Sequence, residues 1–142
     1  MEAGLTTMRR PSWRSNSLKT LQAMHHAKLL DKGGEVRDAF YAAYWEEDLD
    51  IGSVEVIRQV VEDAGLAWEP LEDALEDSLY LDDVMREYQE GIDLGFTGIP
   101  AFVIGDVKFT GAQPMALFQK VAQRAADMLE RDPEAFKDVR LL

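Results

Sequence analysis

The sequence contains no cysteine among its 142 residues. This absence excludes disulfide bonds, thiolate metal sites and every thiol nucleophile that the chain itself would supply. Long apolar runs are missing as well: no stretch approaches the roughly 18 uninterrupted apolar residues that indicate a transmembrane helix. Met1 to Arg14 also lacks the continuous hydrophobic segment of a secretory signal. We therefore expect a cytoplasmic protein that does not bind a membrane.

Basic side chains are scarce relative to acidic ones. Lysine and arginine total 15 against 27 aspartate and glutamate residues, a formal charge of −12. The imbalance is concentrated from Asp38 to Asp93, where 18 acidic residues accompany two basic ones. An acidic balance of this size disfavours binding to nucleic acid. Nucleotide cofactors are not indicated either, because the sequence has no G-x-G-x-x-G or Walker pattern.

Helical spacing of apolar residues dominates the first two thirds of the chain. The N-cap formers Ser15, Asn16 and Ser17 precede a first helix whose apolar stripe is Leu18, Leu21, His25 and Leu29. Four more helices are expected after it. Their apolar positions are Val36, Phe40, Ala43 and Tyr44; Val54, Ile57, Val61 and Ala64 after the cap Ser53; Leu71, Leu75 and Leu79 after Pro70; and Leu81, Val84, Met85 and Tyr88 between Ser78 and Leu94.

The pattern then changes from helical spacing to two short β-prone runs. Ala101–Ile104 and Val107–Thr110 are separated by Gly105 and Asp106, a two-residue connection with glycine first, which predicts a type II′ hairpin. Pro114 opens a last long helix. The fold class predicted by this order is α+β and mostly helical.

The segment Gly95–Ala125, GFTGIPAFVIGDVKFTGAQPMALFQKVAQRA, resembles the C-terminal part of a thioredoxin fold of the DsbA family. The motif GAQP within this segment resembles the FrnE-like group of dithiol oxidoreductases. It is less similar to the glutathione-dependent 2-hydroxychromene-2-carboxylate isomerases, which more often have the motif GQD at this place. The resemblance implies a partial thioredoxin-like fold in one domain, 1–142. Its parts would be an extended arm 1–15, a helical insertion 16–95 and a C-terminal β-β-α unit 96–131.

The family resemblance implies a thiol–disulfide oxidoreductase or disulfide isomerase, but the chain lacks the family's first β-α-β unit with its Cys-x-x-Cys motif. Without a sulfur nucleophile we expect no dithiol activity and name no catalytic residue. Two explanations stay open: a Cys-x-x-Cys segment is encoded upstream of Met1, or the chain is a redox-inactive binding or dimerisation module. A third possibility is a glutathione-dependent isomerase or transferase relative.

The resemblance places the candidate substrate site at Gly98, Ile99 and Pro100. In the thioredoxin fold the matching X-Pro bond is cis, and the preceding residue exposes backbone groups that pair with a substrate chain. A peptide or protein partner is therefore expected at this loop. A second expected partner is another copy of the chain, because without the first strand one edge of Ala101–Ile104 would be unpaired. The alternative cover for that edge is the segment Leu5–Met8 folding back.

Other chemistry-bearing residues are expected to be structural. His25 and His26 are adjacent and point about 100° apart on a helix, so no metal site is predicted; His25 should be buried and His26 exposed. The acidic clusters lack the order of a calcium loop and should be solvated. Arg9, Arg10 and Arg14, beside Trp13, should pair with acidic helices or contact a partner. The remaining aromatics are expected in the core or an interface, namely Phe40, Tyr44, Trp45, Trp68 and Tyr88.

Overall fold

The computed structural model describes residues 7–136. Within that range the fold is α+β and mostly helical, as predicted, with six helices and one two-stranded sheet. In chain order the elements are α1 (Leu18–Leu29), α2 (Gly33–Trp45), α3 (Val54–Asp63), α4 (Glu69–Glu76), α5 (Leu81–Asp93), β1 (Ala101–Ile104), β2 (Val107–Thr110) and α6 (Met115–Arg131). None of these helices is long and apolar enough to cross a membrane.

The chain forms two compact units, Met1–Met85 and Arg86–Leu142, here called unit 1 and unit 2. The boundary falls inside α5. Unit 1 contains α1 to α4, and unit 2 contains the hairpin and α6. The predicted division into an arm, an insertion and a C-terminal unit within one domain stays a prediction.

Unit 1 is a helical cluster in which α1 packs against α2, α3 and α4. Helix α3 begins where predicted, because the Ser53 hydroxyl accepts the Val56 N–H at 3.5 Å and satisfies one free donor of the first turn. Pro70 lies in the first turn of α4, also as predicted. The core consists of Ala23, Ala27, Val36, Phe40, Ala43, Ile57, Val60, Val61, Trp68, Leu71 and Leu75.

The predicted buried face of α1 is wrong. Leu21 and Leu29 are 44% and 64% exposed. The buried side of the helix is formed by Thr20, Gln22, Ala23, His26 and Ala27. The small side chains of Ala23 and Ala27 are fully buried and allow neighbouring helices to approach closely, so α1 packs through its small residues. The same kind of error affects the later helices, where Leu79, Met85 and Tyr88 are exposed rather than buried.

Unit 2 contains the predicted antiparallel hairpin. Ala101 pairs with Thr110 and Ile104 with Val107, so Gly105 and Asp106 form the two-residue connection. Gly105 has a φ of +60°, and Asp106 is not among the positive-φ residues, which is the φ pattern of the predicted type II′ turn.

Helix α6 covers one face of this hairpin. Phe102 and Phe109 are cross-strand partners with ring centroids 5.3 Å apart. The ring of Phe118 from α6 meets them edge-on at 4.8 and 5.1 Å, an arrangement that aromatic pairs favour. The cluster fixes β1 on α6, although every residue of β1 remains only half-buried.

Candidate functional site

The predicted loop Gly98–Ile99–Pro100 lies on the surface at the start of β1. The Ile99–Pro100 peptide bond is cis, as the family resemblance implied. Ile99 presents an aliphatic side chain that is 96% exposed, the most exposed large hydrophobic residue in the described part of the chain. Pro100 is tied to the hairpin, because its carbonyl oxygen accepts the Gly111 N–H at 2.8 Å. The three predicted residues thus form an exposed loop that is attached to the hairpin through Pro100.

The backbone groups of Ile99 are available for pairing. Within residues 7–136, neither its N–H nor its carbonyl oxygen has a hydrogen-bond partner. The strand that follows it, β1, pairs there with β2 alone, so its other edge carries unpaired backbone groups. A row of free N–H and C=O groups is the feature by which an extended chain adds to a sheet. The geometry at Ile99 therefore fits an added strand.

The end of α5 determines the direction in which the chain enters this loop. Gly95 has a φ of +83°, the left-handed conformation that closes many helices. Its N–H donates to the Ile92 carbonyl at 2.8 Å, and the Phe96 N–H donates to the Gly91 carbonyl at 3.1 Å. These two bonds form a Schellman motif. The Leu94 carbonyl accepts from Lys108 Nζ at 3.0 Å, which ties the helix end to β2.

A groove of about 370 Å³ lies between the last turns of α5 and this loop. Its residues are Glu87, Tyr88, Gly91, Ile92, Phe96, Thr97, Gly98, Ile99 and Ala101. The volume is in the range of pockets that enclose a small ligand or a side chain. We call it the α5 groove.

One wall of the α5 groove contains residues that the sequence predicted as site residues, and the other wall does not. Gly98 and Ile99 line the α5 groove and Pro100 follows them, whereas Tyr88 on the other wall was expected in the core or an interface. A signal was present: α5 is strongly amphipathic, yet its apolar face is interrupted by Gly91, a poor helix former. A glycine within such a face indicates either close packing or an opening.

The two histidines lie in unit 1, and His26 rather than His25 is the more buried of them, contrary to the prediction. His26 is the buried one, 8% exposed, and its Nδ1 lies 2.9 Å from the Tyr80 hydroxyl. Burial lowers the pKa of His26, because the charged ring would lose water contacts. His25 is half-buried, with Nε2 3.6 Å from a carboxylate oxygen of Asp83. These contacts hold helices together and include no nucleophile.

The basic N-terminal segment around Arg9, Arg10 and Arg14 is attached to the rest of unit 1 mainly through hydrogen bonds of Ser12 and Trp13 with Asp48, rather than through ion pairs of its arginines. The backbone N–H and the hydroxyl of Ser12 both donate to the Asp48 carboxylate at 2.6 Å. These two bonds hold the pKa of Asp48 below its usual value, with a smaller lowering from the charge of Arg9. Trp13 Nε1 donates to the Asp48 carbonyl at 2.9 Å. The predicted pairing of Arg10 and Arg14 with acidic helices is not seen in the described residues.

Three comparisons with known proteins give matches to this chain. The family model for DSBA-like thioredoxin domains matches residues 4–123. The curated "uncharacterized protein YwbO" of Bacillus subtilis (strain 168) is 30% identical over 102 residues, 70% of this chain and 50% of that protein. The crystal structure of a probable DsbA oxidoreductase from Streptomyces coelicolor superposes with a TM-score of 0.71 at 27% identity, over 78% of this chain and 49% of that one. The chain thus spans about half the length of these two relatives.

Proposed function

The chain belongs to the family of DSBA-like thioredoxin domains, and we propose that it binds extended polypeptide segments at the loop Gly98–Ile99–Pro100. The observation that carries the proposal is the exposed Ile99, whose backbone N–H and C=O have no partner in the described residues. Main-chain pairing at a strand edge supplies affinity with little sequence preference. Such binding suits a protein whose clients are unfolded chains.

The sulfur chemistry of the family is absent from this chain. Thiol–disulfide exchange requires a thiolate to attack a disulfide sulfur, and the 142 residues include no cysteine. The chain is therefore catalytically incomplete as a thiol–disulfide oxidoreductase. Oxidation or isomerisation of a bound segment would need a dithiol supplied by another polypeptide segment, so the proposal for this chain is binding.

The test is an NMR titration of the ¹⁵N-labelled chain with reduced, carboxymethylated α-lactalbumin, an unfolded protein without free thiols. Binding by strand addition should shift the amide signals of Ile99 and Ala101 first. Ile99→Asp should weaken binding about tenfold, because it places a charge beside the added strand. Met115→Asp is the matched control, since Met115 is also an exposed apolar residue of unit 2. Shifts that avoid Ile99 and Ala101, or equal effects of both variants, would contradict the proposal.

A homodimer is a second candidate for the same edge. It is supported by the edge of β1 that no other strand pairs within residues 7–136, and by the half-buried state of all four β1 residues. A second copy would then occupy the edge in place of a client segment. The alternative was that the segment Leu5–Met8 folds back and covers the edge of β1. Met8 gives this alternative no support, because it lines a groove with residues of α2. Leu5 lies outside the described residues. Sedimentation velocity at micromolar concentration should show a dimer that unfolded α-lactalbumin dissociates; a monomer at every concentration would contradict this candidate.

A cytoplasmic location is part of the same proposal. It is supported by the lack of cysteine, since proteins of oxidising compartments commonly use disulfides for stability. Fractionation of the source cells with an antibody to the chain tests it, and recovery with secreted or envelope proteins would contradict it.

A further inference from the structure

The α5 groove is open because of one residue, Gly91. In a Schellman motif the residue after the left-handed glycine commonly packs against the side chain at the third-last helical position. Here those two residues are Phe96 and Gly91, as their backbone hydrogen bond shows. Gly91 has no side chain, so the usual contact is missing. A Cβ built on Gly91 would meet no heavy atom within 4 Å outside the helix backbone and its chain neighbours.

The groove has apolar walls that remain in contact with solvent. Tyr88 and Ile92 are four residues apart on the same face of α5, and they are 63% and 45% exposed. The opposite wall is the loop from Phe96 to Ile99. A glycine inside a helix is less favourable than alanine, so the helix is less stable than it would be with a side chain at position 91. The space is large enough for one bulky side chain.

The groove also carries negative charge. Glu87 lines it one helical turn before Gly91. Helix α5 as a whole contains five acidic residues, Asp82, Asp83, Glu87, Glu90 and Asp93, and one basic residue, Arg86, which has an interaction of its own. The one lysine of the hairpin, Lys108, donates to the Leu94 carbonyl. Charge complementarity therefore favours a cationic group in the occupant.

We propose that the α5 groove is a specificity pocket that receives one bulky apolar side chain of a bound peptide, with Glu87 selecting a lysine or arginine beside it. This proposal rests on the proposed function, because the peptide is held in place by pairing with Ile99. Ile99 and Gly98 belong both to the pairing loop and to the wall of the groove. A segment added at Ile99 therefore passes the opening over Gly91. The occupant is an extended chain with a basic residue two positions from the apolar one, because alternate side chains of an extended chain lie on the same face.

The probes are short fluorescein-labelled peptides of serine and threonine with a central lysine–serine–leucine segment, called the lysine–leucine peptide, and binding is followed by fluorescence anisotropy. On the unmodified chain, replacing the leucine by alanine should weaken binding about tenfold, as expected for a buried side chain of that size. Replacing the lysine by glutamate should weaken binding several-fold, and Glu87→Gln should remove most of this preference. Glu130→Gln, an exposed acidic residue of α6, should leave the preference unchanged.

The decisive variant is Gly91→Leu, which fills the groove and improves the helix. It should weaken binding of the lysine–leucine peptide about tenfold while the melting temperature stays equal or rises. Gly34→Leu is the matched control: Gly34 lies in α2 with equally open space, and its replacement should leave binding unchanged. If Gly91→Leu does not fold, the peptide series on the unmodified chain decides the proposal.

The outcomes separate the two proposals. If Gly91→Leu binds every peptide normally, or if leucine and alanine peptides bind equally, the pocket is disproved while pairing at Ile99 still stands by its amide shifts. If no peptide and no unfolded protein binds, the proposed function fails with it. If Gly91→Leu converts a dimer to a monomer while peptides do not bind, a second copy occupies the groove and the peptide pocket is wrong.

Discussion

The hydroxyl of Tyr80 and Nδ1 of His26 share a hydrogen bond of 2.9 Å that joins α1 to the start of α5. The Tyr80 ring also lies close to both histidines, with centroids 5.2 Å from His25 and 5.6 Å from His26. Tyr80 is half-buried and His26 is buried, so the bond is shielded from much of the solvent. The two residues are far apart in sequence, and their contact links α1 to the residue that precedes α5.

Removing this hydrogen bond should destabilise unit 1. Tyr80→Phe leaves the buried His26 nitrogen without its partner, and an unsatisfied buried polar group costs about 1–3 kcal/mol. Urea unfolding should show a loss in that range. Tyr41→Phe is the control, because Tyr41 is 58% exposed and its change should stay within about 0.5 kcal/mol. Equal effects of the two variants would show that the Tyr80 contact does not contribute.

Stability should fall as the pH drops through the range in which an unfolded histidine gains its proton. Burial lowers the pKa of His26 from its ordinary value of 6.5, so the unfolded chain binds this proton at a higher pH than the folded chain. The contribution is fully present above pH 6.5 and is lost progressively below it, until the folded pKa is passed. Urea unfolding at a series of pH values from about 8 to about 5 measures the slope. His26→Gln should flatten it, and an unchanged slope would contradict the assignment.

The core of unit 1 should be sensitive to truncation at Ile57. Ile57 is fully buried in the cluster between α1, α2 and α3, so Ile57→Ala leaves a cavity and should cost about 2–5 kcal/mol. Ile92→Ala removes the same atoms from a side chain that is 45% exposed, and it should cost about 1 kcal/mol or less. Chemical denaturation of the two variants provides the comparison; similar losses would mean that Ile57 is not a core residue.

The hairpin should depend on glycine at position 105. Its φ of +60° disfavours any side chain, and an added Cβ would lie 2.9 Å from Phe136 Cζ and 3.0 Å from Ala125 Cβ. Gly105→Ala should therefore destabilise unit 2 by about 2 kcal/mol. Gly98→Ala should leave the stability of unit 2 unchanged, because Gly98 has neither a positive φ nor a close neighbour. Hydrogen exchange of the Phe102 and Phe109 amides measures the effect, and slow exchange retained in Gly105→Ala would contradict it.

The chain should not act on disulfides or bind glutathione. In the insulin reduction assay with dithiothreitol, its addition should leave the onset of precipitation unchanged, because it supplies no thiolate. Millimolar glutathione should leave the melting temperature unchanged, since a ligand that binds only the folded state would raise it. Accelerated precipitation would overturn the first expectation, and a thermal shift would restore the isomerase or transferase alternative.

Much of the backbone could be predicted because local signals determine it. Ser53, Pro70 and the pair Gly105–Asp106 each specify a helix start or a turn through their own chemistry, and the structure has those features at those positions. The cis bond between Ile99 and Pro100 was predicted from the resemblance to a known family and is confirmed, while the role of this loop in binding stays a prediction. These features depend on a few neighbouring residues.

The packing of α1 could not be predicted, because it depends on what the helix meets. The leucine stripe of Leu18, Leu21 and Leu29 indicated one buried face, but the neighbouring helices contact the face with Ala23 and Ala27. Thr20 is buried there as well, and its hydroxyl donates to the Ile51 carbonyl at 2.5 Å. Close approach through small side chains leaves little periodic hydrophobic signal. The α5 groove was missed for a similar reason, since an opening is created by the missing side chain of Gly91.

The three tryptophans, Trp13, Trp45 and Trp68, all lie in unit 1, and unit 2 has none. Tryptophan emission therefore monitors only unit 1, which lacks the candidate peptide site. Trp68 is 2% exposed and will report loss of the surrounding core, whereas Trp13 is 51% exposed and will respond less. An unfolding curve recorded by this optical signal alone would describe one unit, and agreement with circular dichroism is required before a single transition is assigned to both.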